Sequence, residues 1–282
     1  MSKPPPIPSN DEVGINIDDF IGHPIRSSET ASHDVIVKCV LLSAGDPATP
    51  VSPGDVLLYF KELATATLEG QRQTPLTSLP DQLMFYIEGG KGRLDDGDRY
   101  WDLEKGVGVL IPPGVLHRFT NTADELLEMI LLAWQPEVEA RPLDEIRVRS
   151  IDQMPFPTPT HWGAYLGKGL FGPDDGLHPN AGFYIVHVPP MMMGDPHAHE
   201  EGFEEGWIKL SPDDAYMLLG SELREMPVHT AFLAPPNGKT VHSVLNVKKD
   251  TTQQWFYFAR FPYPLPRNPD WPIVEPKVLD HS

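Results

Sequence analysis

Proline placement constrains this chain more than any other feature. Pro4, Pro5, Pro6 and Pro8 crowd its start, Pro155, Pro157 and Pro159 its middle, and Pro262, Pro264, Pro266, Pro269, Pro272 and Pro276 its end. Proline gives no N–H to a sheet ladder and stiffens extended backbone. The clusters therefore read as an N-terminal arm (1–31), a linker (138–180) and a tail (262–282), with two blocks, 32–137 and 181–261, between them.

Both blocks are series of short apolar runs bounded by Gly, Pro and Asp. VIVKCVLL, DVLLYFKEL, LMFYIEGG, GVGVLIPPG and LLEMILLAW follow one another in the first, and FYIVHV, EGWIKL, YMLLG, TAFLAPP and WFYFARF in the second. Strand-length runs rich in Val, Ile and aromatic residues, spaced by turn signals, predict an all-β fold of sandwiches or barrels. Helix is expected only at DELLEM and across RPLDEIRVRS.

At 282 residues the chain can bury a sizeable core without disulfides. Its one cysteine, Cys39, lies between Val37 and Val40 and reads as a small buried core residue. A formal net charge of −18 opposes binding to nucleic acid or anionic lipid, so the expected partner is a small molecule. No apolar run approaches the ~20 residues of a membrane helix. The start, MSKPPPIPSNDEVG, lacks the apolar stretch of a secretory signal, and a cytoplasmic location is expected.

The second block holds the chemistry. His197 and His199 stand two apart, so on extended backbone they project to one face, and a short turn then leads to Glu204. Downstream, Pro236 and Gly238 form a turn signal before His242 and Asn246. Three imidazoles and one carboxylate suit a divalent transition metal, Fe, Mn, Ni, Zn, Co or Cu, and not Ca or Mg.

In the first block Gly106, Pro112, Gly114, His117 and Asn121 match the second conserved motif of the cupin superfamily at every named position. His197, His199, Glu204 and His242 fill that family's four metal positions in the second block, and the chain resembles a bicupin. The resemblance implies two tandem jelly-roll-like barrels with one metal in the second. Laid on the first block, the family's other motif puts Leu76, Ser78 and Gln82 at ligand positions, so the first barrel reads as metal-free. Turn positions depart from the pattern: Met191, Ser211 and Thr230 stand where the family has glycine.

The implied activity is that of a metal-dependent oxidoreductase or dioxygenase acting on a small oxygenated molecule. Isomerase, decarboxylase or lyase chemistry is the enzymatic alternative, and ligand binding or sensing the non-catalytic one. Glu204 is the candidate proton acceptor and His229 a candidate proton shuttle. Glu200, Glu201 and Glu205 read as solvated turn carboxylates, and Met191–Met193 as core packing more than pocket lining. His23, His33, His161, His178 and His281 fall in arm, linker or tail and are expected to be exposed. A homodimer is expected from family habit alone.

Overall fold

A computed structural model describes residues 7–24, 29–156 and 165–279. Pro157, Pro159, His161 and His281 lie outside the described residues. Two β-barrels follow one another in the chain. Barrel 1 has one large sheet, built around Glu62–Leu68, Gln82–Gly89, Val107–Ile111 and Leu127–Trp134, and a smaller one holding Lys91–Asp95, Arg99–Glu104 and Arg118–Asn121. Barrel 2 repeats the plan with Ala181–Val188, Glu204–Lys209, Ala231–Ala234 and Gln253–Arg260 in one sheet and Ala215–Leu219, Glu222–Glu225 and His242–Asn246 in the other.

Period-two alternation gives each large sheet two apolar faces. In barrel 1, Leu83, Phe85, Ile87, Met129 and Leu131 pack inward with Phe119. The intervening Met84, Tyr86, Ile130, Leu132 and Trp134 join one core with residues of barrel 2. That seam is aromatic: Phe60 meets Trp134 at 5.7 Å and Phe258 at 4.9 Å between ring centroids, and Trp134 meets Phe183 at 5.3 Å. Gly206 has to be glycine here, because a Cβ would stand 2.1 Å from the Phe258 ring.

Three segments differ from the expectation. The arm carries the strand Ile21–Gly22, which pairs with Ala231–Ala234 of barrel 2, while the tail strand Lys277–Val278 pairs with Arg99–Glu104 of barrel 1. The linker is likewise sheet: Arg147–Ser150 joins Val107–Ile111, and Leu166–Phe171 joins Ala181–Val188. Pro142 and Pro155 lie outside both strands. Neither expected helix forms: DELLEM runs into the strand Leu127–Trp134, and RPLDEIRVRS ends in Arg147–Ser150. Both stretches supply alternate residues to a sheet, and that packing overrides helix propensity.

His33 is buried, contrary to its expected exposure. It sits with Asp34 at the tip of the hairpin between Glu29–Ser32 and Ile36–Ala44, both in left-handed backbone at φ 49° and 64°. The tip turns His33 onto His117 of barrel 1. His178 is also buried, and its Nε2 lies 2.9 Å from the Arg260 guanidinium. Cys39 is only half-buried, its thiol donating to the Pro24 carbonyl at 3.2 Å.

Candidate metal centre

His197 and His242 are cross-strand partners. The His242 N–H donates to the His197 carbonyl at 2.9 Å and the His197 N–H to the His242 carbonyl at 3.3 Å. This antiparallel bridge brings two imidazoles together from distant parts of the sequence, with ring centroids 4.7 Å apart. His199, two residues on, returns to the same side, 4.7 Å from His197 and 4.9 Å from His242. Phe203 stacks on the His199 ring at 3.9 Å and fixes its orientation. One nitrogen from each histidine lies within 4.8 Å of the others.

The carboxylate beside them belongs to Glu205, not to Glu204. Oε2 of Glu205 is 2.5 Å from His199 Nε2, and Oε1 is 2.8 Å from His242 Nε2. The expectation fails by one residue for a geometric reason. The bend after His199 passes through Gly202 at φ 81°, whose N–H donates to the Pro236 carbonyl, and the strand then starts at Glu204. With a side-chain period of two, a slip of one residue exchanges the faces. Glu205 therefore points into the barrel and Glu204 points out, toward barrel 1.

Glu205 is no solvated turn residue. It is buried, and Trp207 Nε1 donates to it at 2.6 Å and the Tyr257 hydroxyl at 3.2 Å. Burial alone would raise its carboxyl; His242 and His199 overcome this and hold it well below the usual carboxylate range. Trp207 is not among the residues expected at the site, although it stands two residues beyond Glu205 and so shares its face. On the closing strand either alternating set of residues 254–258 could line a pocket, and the structure turns Tyr257 to Glu205.

The His197 imidazole is held below its ordinary value by burial and by His242 beside it, which favours the neutral, ligating form. Its Nδ1–H donates to the Asp195 carbonyl at 2.7 Å, which leaves Nε2 as the lone-pair nitrogen. Both His242 ring nitrogens are buried and neither makes an aligned hydrogen bond. Three imidazoles converging beside a buried carboxylate fit a transition-metal ion. His197 and His199 are half-buried while His242 and Glu205 are buried, so access is from the side of the first two.

Glu204 and His229 belong to the seam between the barrels. The Glu204 carboxylate accepts from the Leu58 N–H and, at 3.3 Å, from the Tyr59 N–H. Burial pushes its carboxyl up to about 8 against those donors. His229 sits near Lys209, at the opposite end of the strand from Glu205, and its Nε2 lies 2.9 Å from Glu88 of barrel 1. The Glu88 contact raises its pKa, and the ring is turned to that carboxylate rather than to the three histidines. Met191 and Met192 are 64% and 42% exposed, so they are not core.

The repeat shows what barrel 1 lacks. Thr77 bridges His117 as His197 bridges His242, and the N–H groups of Gln71 and Met191 donate to the carbonyls of Ala123 and Lys248, each two residues past the motif asparagine. Thr77, and not Leu76 or Ser78, is thus the counterpart of His197, and Leu79 follows as that of His199. Gln82 pairs with Trp134 as Glu204 pairs with Arg260, which makes Leu83 the counterpart of Glu205. Leu79 and Leu83 pack in the barrel 1 core. Asn121 and Asn246 are equivalent in role, their amides donating to the Leu68 and Val188 carbonyls.

A second cluster, Glu137, Glu139 and His178, also brings three potential ligands together. Arg260 already supplies its cation, at 2.7 Å from Glu137.

A cupin domain model matches residues 65–133, within barrel 1. No curated protein sequence matches the chain. Among solved structures, protein Ylba from E. coli superposes with a TM-score of 0.65 at 13% identity, covering 90% of this chain and 95% of that one. The putative glyoxylate-induced protein from Pseudomonas aeruginosa gives 0.63 at 14% identity, covering 85% and 86%. A variant of oxalate decarboxylase from Bacillus subtilis gives 0.61 at 11% identity, covering 89% and 79%. At these identities the likeness is one of fold.

Proposed function

Proceeding from a chain that is a bicupin in fold, two tandem cupin barrels in one polypeptide, we propose that it is a metal-dependent enzyme with one centre, formed by His197, His199, Glu205 and His242 of barrel 2. The observation that carries the reading is the convergence of three imidazoles on the buried Glu205 carboxylate. A divalent transition ion held there supplies Lewis acidity toward substrate oxygens and, if iron, manganese or copper, electron transfer.

The favoured activity is oxidation, of the dioxygenase kind, of a small oxygenated organic molecule. The chain's own residues set its terms. Trp207 and Tyr257 hold Glu205 by both oxygens, so it stays ionised and fixed as a ligand. Phe203 on the His199 ring keeps the approach side apolar and limits water there. Barrel 1, with Thr77, Leu79 and Leu83 in place of ligands, serves as support. Decarboxylase or lyase chemistry is the second reading, favoured by the likeness in fold to oxalate decarboxylase.

The test is metal analysis of purified protein, followed by oxygen-consumption and carbon dioxide-release assays with small diols, diketones and organic acids. Oxygen uptake abolished by His197→Ala with His199→Ala supports the oxidative reading. Oxygen-independent release of carbon dioxide favours the second. Bound metal with no turnover across the panel contradicts an enzyme and points to a ligand-binding role.

A further inference from the structure

Glu204 is a fully buried carboxylate that the centre does not use. Its seat is made by the other barrel: the consecutive N–H groups of Leu58, Tyr59 and Phe60 turn toward it and donate to its carboxyl oxygens. Arg260, its cross-strand partner, places its guanidinium 5.1 Å from the Tyr59 ring centroid, so the same turn of barrel 1 is gripped twice. Phe60, next in that turn, packs on Phe258 in the aromatic seam.

The strand Glu204–Lys209 begins at Glu204, and Glu205 is its second residue. Strand ends are where ladders open first, and a ligand placed there is held only as well as the end itself. At the far end, His229 pairs with Glu88 of barrel 1. The strand is thus fastened to barrel 1 at both ends, and only one of the fastenings adjoins the centre.

We infer that Glu204 is a positioning residue for the metal centre: seated on the backbone N–H groups of Leu58, Tyr59 and Phe60, it fixes the strand end that delivers Glu205 to the histidines. Barrel 1, which has lost the ligands, thereby sets the ligand geometry of barrel 2. This role rests on the metal-binding reading above, and its test separates the two.

Co(II) is titrated into metal-free wild type, Glu204→Gln and Glu88→Gln, with the visible d–d bands followed for affinity and coordination and urea midpoints recorded alongside. Glu204→Gln is expected to weaken Co(II) binding by about tenfold or more, the usual effect of losing a group that orients a ligand, and to change the band shape. Glu88→Gln is expected to lower the urea midpoint while leaving affinity within about twofold. Should Glu204→Gln fail to fold, Glu204→Asp, which keeps the carboxyl group and shortens its reach, is expected to weaken binding in the same direction. Wild-type affinity and bands in the Glu204 variants overturn the positioning role, as does equal weakening by Glu88→Gln, which would trace the effect to seam stability. No Co(II) binding by the wild type overturns the metal-binding reading itself, and this role with it.

Discussion

The Nε2 atoms of His33 and His117 lie 2.7 Å apart inside the mouth of barrel 1, the first carried in by a hairpin tip and the second by the barrel wall. Their tautomers follow from their other partners. Val115 offers His117 Nδ1 only a carbonyl, at 2.9 Å, so His117 Nε2 is the acceptor. His33 Nε2–H is then the donor, and its Nδ1 accepts from the Ser32 hydroxyl at 2.7 Å. Both rings are neutral in this arrangement, and burial with the edges of Phe85 and Phe119 against His33 disfavours a charge there.

Acid should unfasten this plug. Burial, then His117 and Lys38, push the His33 imidazole down to about 3, from 6.5 in the unfolded chain. The unfolded state therefore binds the proton first, so the stability from neutral His33 is complete above pH 6.5 and drains away as pH falls toward 3. His33→Phe removes the titration and keeps an aromatic ring. From pH 6.5 to 4 its stability relative to wild type should improve by up to about 1.4 kcal/mol per pH unit, read from urea curves. Parallel pH profiles for the two proteins would contradict the assignment.

Met191 and Gln71 occupy equivalent turns, both in left-handed backbone, at φ 56° and 58°. That conformation costs a non-glycine residue roughly 1–2 kcal/mol, while glycine costs somewhat less through unfolded-state entropy. Met191→Gly and Gln71→Gly should each raise stability by about 0.5 kcal/mol in chemical denaturation. Loss of that amount at either position would show the strain to be absent.

Phe60 joins the barrels through contacts with Trp134, Phe183 and Phe258. Phe60→Ala should cost about 3 kcal/mol, the usual cost of truncating a buried aromatic, with both barrels melting in one transition. Two separated transitions in the wild type would mean that the seam does not couple them.

How far the sequence discloses all this depends on how local each signal is. His197, His199 and His242 are legible because two-residue spacing and a Pro-Gly turn act over a few residues. Glu205 is not, because one extra residue in the bend at Gly202 decides which glutamate faces inward, and composition does not record that parity. The Leu76 and Ser78 alignment slips by the same single step. The barrels show in the alternation of LMFYIEGG and WFYFARF, whereas the cross-pairing of arm and tail is set by distant edges: Ile21 against Phe232, and Lys277 against Tyr100. His33 reads as exposed in sequence because its burial belongs to the hairpin tip as a whole.

The central claim is one metal per chain, held by barrel 2 through Glu205. Elemental analysis of wild type, His117→Ala, His242→Ala and Glu205→Ala, expressed in metal-supplemented medium and dialysed, tests it most directly. The account predicts about one transition-metal equivalent in wild type and His117→Ala, and a small fraction of that in His242→Ala and Glu205→Ala. Equal metal loss from His117→Ala and His242→Ala, or full retention in Glu205→Ala, would contradict it.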